Sequence, residues 1–165
     1  MDRFTAADVK DILFVCTANI CRSPFAEEVL RMHLLERRVE GIKVHSAGVI
    51  AVPGLRPPAE AIEVASELGV DMSHHTSRPL SVEMIEQADL ILVMNLFHKA
   101  RILALDPESG GKLRLLGSYS TFHGNLEEEM EIPDPYRLSP FHYRSSFNII
   151  RDCVQNFMKD FLVRE

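Results

Sequence analysis

A cysteine and an arginine near the start of the chain have a spacing that suits phosphate chemistry. Cys16 and Arg22 are separated by five residues, which are Thr17, Ala18, Asn19, Ile20 and Cys21. Five residues allow the backbone to curl so that successive N–H groups point inward and bind an anion. Asn suits such a curl because it tolerates a left-handed backbone. The planar guanidinium of Arg22 can bind two phosphate oxygens at once. We therefore predict that residues 16–22 and Ser23 form a phosphate-binding loop.

Cys16 is the candidate nucleophile of this loop. Ser23 and Pro24 follow Arg22 and are typical of a helix start, with Ser23 as the cap. The helix would direct its N–H groups and the positive end of its dipole at the anion, and the same field stabilises a thiolate at Cys16. A thiolate beside a bound phosphate can attack phosphorus in line. The alternative is that Cys16 is only a small buried apolar residue.

A phosphoester leaving group needs a proton, and Asp134 is the best candidate for its donor. Pro133 and Pro135 flank it and restrict the backbone on both sides, which fixes the direction of the carboxyl group. Asp-Pro pairs are also common in ordinary turns. The phosphate loop earlier in the chain is what favours general acid catalysis by Asp134.

Strand and helix patterns alternate along the chain, which predicts one α/β domain over residues 1–165. We expect a doubly wound, four-stranded parallel sheet with helices on both faces and the phosphate loop directly after the first strand. The predicted strands are residues 11–15, 42–46, 88–94 and 112–116. The predicted helices begin at Ser23 and cover residues 58–68, 81–87 and 95–105. A last helix carries the apolar stripe of Phe147, Ile150, Val154, Phe157 and Phe161.

Composition narrows the class of protein. The 165 residues carry a formal net charge of −6, which disfavours nucleic acid as a partner. The N-terminus has acidic residues and no long apolar run, so we predict neither a signal peptide nor a membrane span. Three cysteines are an odd number and do not indicate a disulfide framework. We expect a cytoplasmic protein.

Residues 15–24 resemble the N-terminal signature of the low-molecular-weight protein-tyrosine phosphatases. Three further segments match the family in order and spacing: residues 46–48 (Ser-Ala-Gly), 116–119 (Leu-Gly-Ser-Tyr) and 132–137 (Ile-Pro-Asp-Pro-Tyr-Arg). The resemblance covers about residues 11–163. It implies a protein-tyrosine phosphatase that works through a phosphocysteine intermediate and needs no cofactor or metal.

The resemblance also implies roles for supporting residues. Ser23 would hydrogen-bond the thiolate, Asn19 and Ser46 would bond each other, and His74 would join that network. Tyr136 would form an aromatic wall for the phosphotyrosine ring; otherwise it is a half-buried tyrosine of a loop. Ala18 replaces the usual glycine of the loop, which is tolerable at negative φ but would narrow the pocket.

Three points remain open or are disfavoured. His74 and His75 are adjacent, and adjacent residues rarely bind one metal ion, so we predict no metal site. Cys21 either packs within the loop or acts as a resolving thiol for oxidised Cys16. The pair of Tyr136 and Arg137 resembles the bacterial family members, which often oppose tyrosine kinases of polysaccharide export. We expect a monomer or weak dimer. Its partner would be a phosphotyrosine protein, for example a bacterial tyrosine kinase.

Three alternatives share parts of this pattern. Protein-arginine phosphatases have the same fold but typically carry Thr where this chain has Ile20. Thioredoxin-linked arsenate reductases need cysteines in a later loop, and residues 70–90 contain none. A catalytically inactive phosphate-binding protein would keep Arg22 but usually lose Cys16 or Asp134, and both are present.

The residue at position 20 should decide between tyrosine and arginine substrates. An apolar side chain at the pocket floor packs against an aromatic ring, so we expect phosphotyrosine peptides to be better substrates than phosphoarginine or phosphoserine. Replacement Ile20→Thr should raise phosphoarginine activity relative to phosphotyrosine. The measurement is kcat/KM for the three substrates on both proteins. A wild-type preference for phosphoarginine would contradict this role of Ile20.

Overall fold

The protein folds around one parallel sheet, here in a computed structural model that describes residues 7–122 and 124–162. The strands are β1 (Asp11–Cys16), β2 (Lys43–Gly48), β3 (Leu90–Val93) and β4 (Leu113–Leu115). They lie in the order β2-β1-β3-β4, and every pairing is parallel. The predicted four-stranded parallel sheet is confirmed.

Five α-helices cover the sheet within the described ranges. They are α1 (Arg22–Glu36), α2 (Ala59–Glu67), α3 (Val82–Gln87), α4 (Leu96–Leu105) and α5 (Pro140–Leu162). Three short 3-10 helices lie at Pro107–Lys112, Leu116–Tyr119 and Glu127–Met130. The last two lie in the stretch between β4 and the segment that carries Asp134.

Apolar side chains of β1 point alternately to two cores. Ile12, Phe14 and Cys16 contribute to the core on the side of α1, α2 and α5, whereas Leu13 and Val15 contribute to the core beneath α3 and α4. A strand buried on both faces is apolar throughout, which is typical of parallel sheets. Helices therefore cover both faces, and the doubly wound fold is confirmed.

The long C-terminal helix closes the larger core. Phe147 of α5 stacks on Phe25 of α1 with 4.1 Å between ring centroids. All five residues of the predicted apolar stripe are buried, which confirms their role in the core: Phe147, Ile150, Val154, Phe157 and Phe161. No helix within the described ranges combines the length and apolar character needed to cross a bilayer.

The first helix begins differently from the prediction. The cap of α1 is Cys21, which makes no side-chain capping hydrogen bond, and Ser23 lies inside the first turn. The prediction of Ser23 as the cap was therefore wrong. Its hydroxyl is instead engaged with Cys16 and Asn19 in the loop.

The sheet order fixes where a site can form. The chain runs from β1 outward to β2 and then returns to β3 on the other side of β1. A crevice opens where the strand order reverses, at the carboxyl ends of two neighbouring strands. Here those strands are β1, followed by the phosphate loop, and β3, followed by α4.

Candidate active site

Asn19 holds the phosphate loop in its curled shape. It is fully buried and adopts the left-handed conformation with φ of 58°. Its side-chain amide donates to Ser23 Oγ and Ser46 Oγ, each at 2.8 Å, and Oδ1 accepts from the backbone N–H of Arg78 at 3.0 Å. The expected bond between Asn19 and Ser46 is confirmed. These bonds satisfy the buried amide and hold the loop conformation.

The loop presents the Cys16 thiol to a hydroxyl donor. Cys16 Sγ lies 2.9 Å from Ser23 Oγ. Because Ser23 Oγ already accepts from the Asn19 amide, its hydrogen is available to donate to the sulfur. A thiolate at Cys16 could accept the hydrogen bond that this hydroxyl donates. The contact predicted between Ser23 and Cys16 is present.

Arg22 connects the phosphate loop with the segment that carries Asp134. Its side chain is 3% exposed and lies 3.5 Å through Nη2 from Asp134 Oδ2. Nη1 donates to the carbonyl of Ile132 at 2.9 Å, and Nη2 donates to Thr17 Oγ1 at 3.5 Å. A buried cation needs such partners. Because the guanidinium is planar, these contacts fix its orientation beside the loop.

The backbone on both sides of Asp134 is anchored. The N–H of Ile132 donates to the carbonyl of Met94 at 2.9 Å, and Ser146 Oγ donates to the carbonyl of Pro133 at 2.7 Å. Asp134 Oδ1 accepts from the N–H of Tyr136 at 3.1 Å. The side chain of Asp134 remains 49% exposed, so its carboxyl group can reach a leaving group in the cleft.

Two glycines of the matching segments allow close backbone contacts at the site. A Cβ at Gly48 would lie 2.6 Å from the carbonyl oxygen of Thr17, and a Cβ at Gly117 would collide with the carbonyl of Met130. Gly48 therefore permits β2 to support the phosphate loop. Gly117 permits the approach of the segment that leads to Asp134.

The histidine that supports the loop is His75, and the prediction of His74 was wrong. His75 is buried, and its Nε2 lies 2.8 Å from the carbonyl of Asn19 and can donate to it. His74 is exposed and pairs with Glu28 at 3.4 Å. Burial lowers the pKa of His75, so the neutral ring donates this hydrogen bond. Adjacent residues leave a turn in different directions, and only one of them faces inward.

Residues 18, 20 and 21 line the loop with apolar groups. Ala18 is half-buried, and its φ is not positive, so the backbone tolerates its Cβ. Ile20 is 8% exposed and packs into the larger core. Cys21 is a buried free thiol whose pKa burial raises to about 12, helped by the nearby Cys16. Cys21 is therefore protonated at neutral pH, and its two interpretations remain predictions.

Tyr136 lies beyond Asp134 at the open side of the site. It is 42% exposed, and the guanidinium of Arg137 lies 5.3 Å from its ring centroid. This exposure suits an aromatic wall, and the wall itself stays a prediction. No group of three or more potential metal ligands occurs among the described residues.

Sequence reasoning missed His98. It lies fully buried in the first turn of α4, and its Nε2 is 2.9 Å from Thr17 Oγ1. Asn95 caps α4, and the pair of Asn95 and His98 forms a capping box. The spacing Asn-x-x-His directly after the apolar strand was the available signal, and only the order of β1 and β3 makes it relevant to the loop.

The comparisons with known proteins identify the family. Residues 11–165 match the model of the low molecular weight phosphotyrosine protein phosphatases. The chain is 39% identical over 148 residues to the low molecular weight protein-tyrosine-phosphatase Etp of Escherichia coli, covering 90% of this chain and 92% of Etp. It is 37% identical to Wzb of the same species over 147 residues, covering 89% and 92%. The chain belongs to the low molecular weight protein-tyrosine phosphatase family.

Solved structures agree on the fold. The tyrosine phosphatase AmsI of Erwinia amylovora superposes with a TM-score of 0.81 at 31% identity, covering 93% of both chains. The YwlE arginine phosphatase of Geobacillus stearothermophilus superposes with a TM-score of 0.77 at 31% identity, covering 90% of both chains. One fold thus includes proteins named for two different phosphorylated side chains.

We expect the two adjacent histidines to differ sharply on substitution. His75→Ala leaves the buried carbonyl of Asn19 without its donor, so the free energy of unfolding should fall by about 1–3 kcal/mol. Activity should fall as well, because the loop loses part of its support. His74→Ala is the matched control and should change stability by less than about 0.5 kcal/mol. Chemical denaturation and steady-state kinetics of both variants test this, and equal effects would contradict it.

Proposed function

We propose that this protein hydrolyses phosphotyrosine in proteins through a phosphocysteine intermediate. The observation that carries the proposal is the approach of Asp134 to the phosphate loop, with its carboxylate 3.5 Å from Arg22 Nη2. Arg22 thereby joins the proposed proton donor to the loop that carries the proposed nucleophile Cys16. Family membership supports the same activity.

In the first step, the Cys16 thiolate attacks phosphorus and forms the S–P bond while the P–O bond to tyrosine breaks. Asp134 donates its proton to the leaving phenolate oxygen. Arg22 and the loop amides bind the three equatorial oxygens and offset their charge. The Cys16 sulfur is placed for this attack by its contact with Ser23 Oγ at 2.9 Å.

In the second step, the Asp134 carboxylate takes a proton from water, whose oxygen attacks the phosphocysteine. The S–P bond breaks, inorganic phosphate leaves, and the electron pair returns to Cys16 as a thiolate. Ser23 stabilises that thiolate by donating its hydroxyl hydrogen. Asp134 thus regains from water a proton in place of the one that left with tyrosine, and Cys16 regains its thiolate, so the cycle closes without a cofactor.

The substrate is a phosphotyrosine protein on this proposal. Tyr136 is exposed enough to flank an aromatic ring, and the small exposed part of Ile20 would contribute an apolar floor. Relatives named as protein-tyrosine phosphatases, such as the probable phosphatase EpsP of Ralstonia solanacearum, support a phosphotyrosine protein as the substrate. A bacterial tyrosine kinase is the partner that we propose. The three cysteines are free thiols, which suits a reducing cytoplasm.

Arginine phosphatase is the second candidate activity, because a solved structure with that name shares the fold.

Substitution of the nucleophile should separate binding from chemistry. We expect Cys16→Ser to abolish turnover of para-nitrophenyl phosphate while inorganic phosphate or vanadate still binds. Arg22→Lys keeps the charge but loses the planar fork, so both binding and turnover should fall. Calorimetry and steady-state kinetics measure the two effects. Retained turnover in Cys16→Ser would refute the mechanism.

Substitution of the proposed acid should depend on the leaving group. For Asp134→Ala, kcat should fall on the order of 10²-fold or more with poor leaving groups, as expected when a general acid is lost. Activated aryl esters leave without help and should lose much less. A series of aryl phosphates of graded leaving-group pKa checks this on wild type and variant. An equal loss across the series would assign the acid to another residue.

A further inference from the structure

His98 is a buried imidazole that the proposed mechanism does not use. Its Nδ1 accepts the backbone N–H of Asn95 at 3.2 Å, while Asn95 Oδ1 accepts the N–H of His98 at 3.1 Å. A ring nitrogen that accepts carries no hydrogen, so the proton of the neutral ring lies on Nε2. Burial, and secondarily the charge of Arg22, lower the pKa of His98 to about 3. The ring is therefore neutral throughout the working pH range.

The Nε2–H of His98 has one partner in the site. Thr17 Oγ1 lies 2.9 Å away and accepts this hydrogen. Arg22 Nη2 donates to the same oxygen at 3.5 Å. A hydroxyl has two lone pairs and one hydrogen, so both acceptor positions of Thr17 are filled and its hydrogen is left to donate.

Thr17 Oγ1 and the carboxylate of the proposed acid contact the same nitrogen of Arg22. Thr17 Oγ1 and Asp134 Oδ2 lie at the same distance of 3.5 Å from Arg22 Nη2. An oxygen of the phosphoryl group held by Arg22 would lie between these groups. A donor fixed beside this oxygen would help to hold the phosphoryl group in line for attack by Cys16.

The first turn of α4 also holds the segment of the proposed acid. The N–H of Leu96 donates to Glu131 Oε1 at 3.0 Å, and Lys99 pairs with Glu127 at 2.8 Å. The same turn therefore contacts the phosphate loop through His98 and the acid segment through its flanks. A side chain on this turn is well placed to set the loop relative to Asp134.

We propose that His98 is a positioning residue which, by donating from Nε2 to Thr17 Oγ1, fixes the Thr17 hydroxyl as a hydrogen-bond donor to the transferred phosphoryl group. This inference rests on the proposed phosphatase function. It predicts a chain of donors from α4 through Thr17 to the reacting group, in addition to Arg22 and the loop amides.

Two replacements of His98 separate the donor from the cap. The amide oxygen of Asn can occupy the position of His98 Nδ1, which accepts the N–H of Asn95, but Asn is too short to place a donor at the position of Nε2. Gln is longer and can place its amide N–H near the position of Nε2, within reach of Thr17. We expect His98→Asn to lower kcat/KM for an aryl phosphate about tenfold, the scale of one lost hydrogen bond. His98→Gln should recover most of that loss. His33→Asn, on the last turn of α1, is the matched control and should leave activity unchanged.

A double-mutant cycle with Thr17 tests the mechanism of the effect. Thr17→Val removes the hydroxyl and should cost about as much as His98→Asn, while Thr17→Ser restores a hydroxyl and should recover most of that loss. The double variant Thr17→Val with His98→Asn should be no worse than Thr17→Val alone. Additive losses would overturn the proposal, because His98 would then act without Thr17. If His98→Asn fails to fold, the contrast of Thr17→Val and Thr17→Ser still decides whether the hydroxyl contributes.

Two readouts distinguish positioning from a structural role. Long-range ¹H–¹⁵N NMR of the wild type should show His98 protonated at Nε2 alone from pH 5 to 8, and an Nδ1–H signal would overturn the proposal. The pH profile of His98→Asn should keep the wild-type limbs, whereas a shifted limb would mean that His98 itself titrates. If the wild type shows no turnover, the proposed function fails, but the NMR result remains measurable.

Discussion

The site depends on the left-handed backbone of Asn19. With φ of 58°, this residue bends the loop so that the amides after Cys16 can face one point. The conformation is uncommon outside glycine, and the Asn19 side chain offsets its cost by bonding Ser23, Ser46 and the backbone of Arg78. The same amide group that stabilises the bend also leaves the Ser23 hydrogen free for the Cys16 sulfur. Loop shape and nucleophile chemistry are thus fixed by one side chain.

A buried cation makes the second connection. Arg22 is almost fully enclosed, and an unpaired guanidinium there would be strongly destabilising. Its partners come from both halves of the site: Thr17 within the loop, and Ile132 and Asp134 more than a hundred residues later. The acid segment is therefore held at the loop before any substrate binds. Bound phosphate would compete for the face of Arg22 directed at Asp134, which leaves the carboxyl group free to transfer a proton.

Sequence patterns indicated the candidate catalytic residues, but they did not indicate all of the side chains that support these residues. The spacing of Cys16 and Arg22, the buried strand before them and the prolines around Asp134 are local features, so they were readable without coordinates. The fold class followed from the alternation of strand and helix patterns, and the strand bounds shifted by at most two residues because strand ends depend on pairing. The choice between His74 and His75 depends on how a turn faces the loop, and the pairing of His98 with Thr17 depends on the order of β1 and β3. Neither is a local property of the sequence.

The shared fold of tyrosine and arginine phosphatases places specificity in few side chains. In the proposed mechanism, Cys16, Arg22 and the loop amides contact the phosphoryl group, which is common to both substrates, so they would not distinguish the groups that carry it. Discrimination between phosphotyrosine and phosphoarginine must come from residues that contact the leaving group. The candidates are Ile20, at the proposed floor of the substrate pocket, and Tyr136, at its proposed aromatic wall. Ile20 is largely enclosed by the core and offers little more than an apolar edge. Ile20 offers a guanidinium no hydrogen-bond partner, so the N–H groups of such a substrate would depend on the Asp134 carboxylate. An aromatic ring packs against an apolar edge without a partner, and this asymmetry favours tyrosine.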